Sequence, residues 1–146
     1  MRRELALASG LDQAARAREF VRATLPAVVE RPVPTRFFED VETVVSELVT
    51  NALIHAAAVE PTHAAVLLVL ESDELGLRIG VTDRADTAPT PRTAGEDDTH
   101  GRGLTIVALL AADWGVEPVA GGVGKTVWAR FGVPAGALDD ASLGGV

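Results

Sequence analysis

Ser46-Glu47-Leu48-Val49-Thr50-Asn51-Ala52 lies inside the stretch 35–57, and its reading decides what the rest of the chain can be. Placed on a helix, Val41, Val44, Val45, Leu48, Val49, Ala52, Leu53 and Ala56 fill one broad apolar arc. Thr43, Ser46, Glu47, Thr50 and Asn51 fall on the other, with Glu42 at its margin. The spacing predicts one long amphipathic helix, capped by Thr35, that packs on an apolar surface. Its polar arc is short and mostly uncharged, which suits a pocket wall better than a face meant only for water. Glu47 and Asn51 stand four positions apart and so share one side of the helix. A carboxamide oxygen is a hard ligand suited to Mg2+, and a neighbouring carboxylate can orient or deprotonate a nucleophile. The same pair also decorates ordinary surface helices, so the function turns on whether the chain supplies further walls.

Downstream, residues 63–70 are almost continuously apolar, as a central strand is, and Glu71-Ser72-Asp73-Glu74 reads as a turn. Leu75, Leu77, Ile79 and Val81 then alternate, predicting a half-buried strand with Asp83 on the same parity at the end of its apolar face. A carboxylate there is either a solvated turn residue or the acceptor for something held at the rim. Residues 84–100 carry no apolar period, and a connection longer than about 12 residues is usually a lid or a disordered segment. Gly101-Arg102-Gly103-Leu104 precedes a helical run over 105–112. Glycines at a helix start let an anion approach bare backbone N–H groups, although many such pairs are only loop ends. Arg102 is read either as a solvated side chain or as a cation assisting there.

Two further strands are expected over 113–117 and 123–131, and a frayed tail from 134 to 146 follows a single domain spanning 1–133. Gly121-Gly122-Val123-Gly124-Lys125-Thr126 superficially suggests a P-loop. Val119 occupies the position of that motif's first glycine, and Lys125 leads into a strand, not a helix, so the P-loop is rejected. Upstream, Leu5-Ala6-Leu7-Ala8 reads as an edge strand and 11–25 as a helix with Asp12 able to cap it. Residues 26–34, with three prolines, read as a connector.

Composition narrows the function classes. The 146 residues suffice for one core, built mostly of Ala, Val and Leu because aromatics make up only 4%. Disulfides, Cys-based zinc sites and thiol catalysis are excluded by the absence of cysteine. A formal charge of −8, with Lys125 the only lysine, argues against nucleic-acid binding, which needs a basic stripe. No apolar run reaches the roughly 20 residues of a membrane span, so a cytoplasmic protein is expected. No Lys or Arg lies between Arg36 and Arg78, which leaves Glu47 without an ion-pair partner nearby in sequence.

Taken in order, Glu47-Leu48-Val49-Thr50-Asn51-Ala52, Val81-Thr82-Asp83, Gly101-Arg102-Gly103-Leu104 and Gly124-Lys125-Thr126-Val127-Trp128 resemble the N, G1, G2 and G3 boxes of the GHKL ATPase superfamily. Within it, residues 5–132 are similar to the small anti-sigma-factor serine/threonine kinases of the actinobacterial type. The resemblance implies an α/β (α+β) two-layer sandwich, helices on one face of a mixed, largely antiparallel sheet, with ATP between the helix layer and the loop after Asp83.

By that resemblance Asn51 coordinates Mg2+ and Glu47 acts as catalytic base or orients the attacking hydroxyl. Asp83 accepts a hydrogen bond from the adenine amino group, the backbone of Gly101 and Gly103 wraps the phosphates beside Arg102 and Leu104, and Thr126 lines the adenine end. The implied function is an ATP-dependent serine kinase that phosphorylates an antagonist protein and sequesters a sigma factor, with a homodimer expected. An alternative is a nucleotide-binding interaction module with little kinase activity. Ala85 favours that alternative, because it stands two positions after Asp83 where the superfamily usually has glycine. A sensor histidine kinase would need a phosphorylatable His ahead of the long helix, and none of the residues before Thr35 is His.

Overall fold

Alternation and helical spacing each find their partner in one apolar interior. A computed structural model describes residues 1–8, 12–59, 65–83, 104–121 and 124–134. In chain order the elements are β1 (Arg2–Ala8), α1 (Gln13–Val29), α2 (Thr35–Val59), β2 (Ala65–Asp73), β3 (Gly76–Asp83), α3 (104–110), β4 (Asp113–Pro118) and β5 (Lys125–Phe131). The strands form one sheet in the order β1-β2-β3-β5-β4, and every pairing among the described residues is antiparallel. Helices α1 and α2 pack on each other, α1 against β1 and β2 and α2 against β2 and β3. This is the expected α+β arrangement, an open, antiparallel sheet with helices packed on it. Among the described residues no helix is long and apolar enough to cross a membrane.

The interior is the meeting of two periodicities. From α2 come Val41, Val44, Val45, Leu48, Val49, Ala52 and Ala56, all buried as their spacing requires. From the sheet come Leu68 and Leu70, Leu77, Ile79 and Val81, and Ala129 and Phe131, one side of each strand. Helix α1 contributes Ala17, Val21, Leu25 and Val28, and α3 contributes Val107. Phe37 meets Phe131 edge to face, with ring centroids 5.8 Å apart. Truncating one of these large side chains, Leu68 to alanine for example, should cost about 2–5 kcal/mol.

Several boundaries differ from the sequence expectation. Pro26 does not end α1, because burial of Val28 and Val29 draws the helix on to Val29. The carbonyl that loses its donor at Pro26 belongs to exposed Arg22, where water can replace the bond. Glu30 then closes the helix in the left-handed region, at φ 60. Asp12 stands at the N-cap of α1 but its side chain makes no capping hydrogen bond. Thr35 is the first residue of α2, not its cap, since Phe38 N–H already donates to the Pro34 carbonyl at 3.2 Å.

The β2–β3 turn is tighter than the sequence suggested. Strand β2 continues through Glu71 and Ser72 to Asp73, whose Oδ1 accepts from Leu75 N–H at 2.8 Å. Leu75 therefore sits in the turn and is 73% exposed, outside the strand alternation that begins at Leu77. Gly76 (φ 114) brings the chain back, and a Cβ there would stand 2.3 Å from the Phe131 carbonyl oxygen. The loop at 84–100, Gly101-Arg102-Gly103 and the tail from 135 lie outside the described residues.

Candidate functional site

The packing of α2 fixes where Glu47 and Asn51 can go. With Leu48, Val49 and Ala52 committed to the core, the intervening positions are turned to the flank of the helix, and both Glu47 and Asn51 are half-buried. Among the described residues neither side chain makes a hydrogen bond or an ion pair. Glu47 joins Arg18, Glu39, Glu42, Thr43 and Ser46 around an open depression of about 300 Å3 between α1 and α2. The groups around it are tied down: Arg18 donates to the Ser46 hydroxyl at 3.1 Å, and Arg22 grips Glu42 through two hydrogen bonds, the shorter 2.9 Å. Asn51 lies one turn further along α2, outside that depression.

Asp83 ends β3 on the side of the sheet that Leu77, Ile79 and Val81 present to the helices. It is 2% exposed, the one buried polar residue among those described. A carboxylate this deep needs compensation. Part of it comes from Lys125 at the start of β5, whose Nζ is 3.7 Å from Asp83 Oδ2 and whose side chain is itself mostly buried. The two residues are direct partners in the β3–β5 register.

The same register puts Thr126 on the other face of the sheet. Its partner is Thr82, the two hydroxyls are 2.6 Å apart, and both occupy the face of the sheet opposite Asp83. Lys125, which the sequence reading did not nominate, holds the place beside the carboxylate. The alternation Phe131, Ala129, Val127 carried back to Lys125 is the signal that could have found it. Leu104 opens α3, which Val107 anchors in the core. Gly101, Arg102 and Gly103 lie outside the described residues.

A larger depression, about 560 Å3, is lined by Met1, Arg31, Asp73, Glu74 and Gly76 among others, at the opposite end of β3 from Asp83. It is no rival, since its Asp73 is already held by Arg130 and by the Leu75 N–H. The candidate groups are carried by two elements that pack on each other, Glu47 and Asn51 by α2 and Asp83 by β3.

Residues 7–131 match the histidine kinase-like ATPase domain. The chain belongs to that family. ATP is therefore the ligand its fold is built around, and no curated relative matches the chain. The donor set of this ATPase domain fits such a ligand. Its buried carboxylate is a hydrogen-bond acceptor, and the half-buried amide and carboxylate side chains on α2 have no partner among the described residues. No three His, Cys, Asp or Glu side chains converge among the described residues. The amide oxygen of Asn51 and the carboxylate of Glu47 are hard oxygen donors, the kind that Mg2+ accepts.

Proposed function

We propose that this ATPase domain binds ATP with Mg2+ and transfers the γ-phosphoryl group to a serine hydroxyl of a partner protein. The partner is an antagonist of the kind controlled by anti-sigma-factor kinases, and in its other state the domain sequesters a sigma factor. The observation that carries the catalytic reading is Glu47: a half-buried carboxylate with no partner among the described residues, on the same helical side as Asn51.

Phosphoryl transfer asks little covalent work of a protein and much positioning. Asp83 accepts from the base, Asn51 helps hold the metal, and Glu47 takes the proton of the incoming hydroxyl as its oxygen bonds phosphorus and ADP leaves. Mg2+ supplies neutralisation of phosphate charge, which matters on a chain of formal charge −8. The open depression beside Glu47 gives a hydroxyl-bearing segment a way in.

A second reading, nucleotide binding without transfer, draws on Ala85. The two separate when the protein is incubated with Mg2+, γ-labelled ATP and the cognate antagonist. Labelled antagonist supports the kinase, whereas ATP binding with no label transferred leaves only the interaction module.

A further inference from the structure

We propose that Lys125 is a nucleotide-binding residue, forming with Asp83 a donor–acceptor pair that reads the edge of the adenine base. The proposal rests on the ATP-binding reading given above. It starts from three properties of Lys125. It lies directly opposite Asp83 across β3 and β5, so both side chains emerge on the helix-facing side of the sheet. Its side chain is 19% exposed, an uncommon degree of burial for a lysine. Its Nζ is 3.7 Å from Asp83 Oδ2, too far for a hydrogen bond, and among the described residues it makes none.

An ammonium brings three donors and no acceptor. Attraction to Asp83 offsets part of the desolvation of this one, while its hydrogen-bonding capacity among the described residues is unused. A purely structural cross-strand pair would gain by closing to hydrogen-bond distance. A pair that must admit a base edge gains by standing slightly open.

The complementarity is chemical. On the Watson–Crick edge of adenine the amino group, a donor, adjoins N1, an acceptor, and proteins read bases by hydrogen bonds to that edge. Asp83 offers only acceptors and Lys125 only donors, set side by side on neighbouring strands. With the amino group directed to Asp83, N1 falls to Lys125. Thr126 has no part in this, since it is on the other face of the sheet with its hydroxyl against Thr82.

The test alters the ligand as well as the protein. ATP and 1-deaza-ATP, which lacks the N1 acceptor, are titrated calorimetrically with Mg2+ into the wild-type chain, Lys125→Met and Thr126→Val. A hydrogen bond to a charged donor predicts that wild type and Thr126→Val bind ATP about tenfold or more tightly than 1-deaza-ATP. Lys125→Met should bind the two alike. Equal affinities in wild type, or discrimination retained by Lys125→Met, overturn the assignment of Lys125 and leave the ATP reading standing. Absence of ATP binding to wild type overturns both. Should Lys125→Met fail to fold, Lys125→Arg provides the protein-side comparison: a longer, forked donor should change the ATP to 1-deaza-ATP ratio, and an unchanged ratio overturns the proposal.

Discussion

The guanidinium of Arg18 on α1 donates to the hydroxyl of Ser46 on α2 at 3.1 Å, joining the two helices at the residue that precedes Glu47. The bond is partly buried and spans 28 positions of sequence. It therefore helps fix the rotation of α2 relative to α1, and with it the direction in which Glu47 faces. Arg18→Ala should lower stability by about 1 kcal/mol, as loss of such a bond usually does. Urea denaturation measures this directly, and an unchanged midpoint would show that the two helices are aligned by packing alone.

Asn51 and Glu47 are expected to fail differently. With its amide oxygen in the proposed role of metal ligand, Asn51→Ala should weaken Mg2+-dependent ATP binding about tenfold. Glu47→Ala should leave ATP affinity within about twofold and reduce transfer to the antagonist by about two to four orders of magnitude, as removal of a general base does. Calorimetry and label transfer on the same two variants separate binding from chemistry. Equal ATP affinity of Asn51→Ala and wild type would remove Asn51 from the site.

Two glycines should respond unequally to alanine. At Gly76 a Cβ would meet the Phe131 carbonyl oxygen at 2.3 Å with φ at 114, so both backbone strain and a backbone clash oppose it. Gly76→Ala should cost at least about 1–3 kcal/mol. At Gly115 the nearest atoms belong to the Trp128 indole, the closest at 2.8 Å, and a ring can move where a carbonyl cannot. Gly115→Ala should therefore shift tryptophan fluorescence with a smaller loss of stability. The reverse order in thermal melts would contradict the turn geometry.

Acid should weaken the end of the molecule away from Asp83 through Asp73. Hydrogen bonds from Arg130 first, and then from the Leu75 N–H, hold its carboxyl below the ordinary value of 3.8. A carboxyl depressed on folding contributes stability that is fully present above its unfolded pKa and is lost as pH falls through the folded one. Stability should accordingly fall below about pH 4 by a step that Asp73→Asn lacks. Urea midpoints from neutral pH down to pH 3 test this, and parallel profiles for the two proteins would rule the contribution out.

What the sequence determined by itself was the content of each element and the character of its faces. Helix α2 and strand β3 carry their own periodicities, and a period is a local property, so the buried arc ending at Ala56 and the parity linking Leu77 to Asp83 could be read without knowing what covers them. The polar flank holding Glu47 and Asn51 followed from the same arithmetic.

Only the tertiary structure decided what those faces meet. Continuation of α1 through Pro26 depended on the burial offered to Val28 and Val29, a property of the interior and not of the proline. The neighbour of Asp83 depended on cross-strand register between residues more than forty positions apart: one step of slip would put Thr126 in the place of Lys125, a hydroxyl where a cation now stands. Side-chain alternation within a strand says which residues share a face. Pairing between strands, set by the packing of the whole sheet against its helices, says which residue stands beside the buried carboxylate, and here it is Lys125.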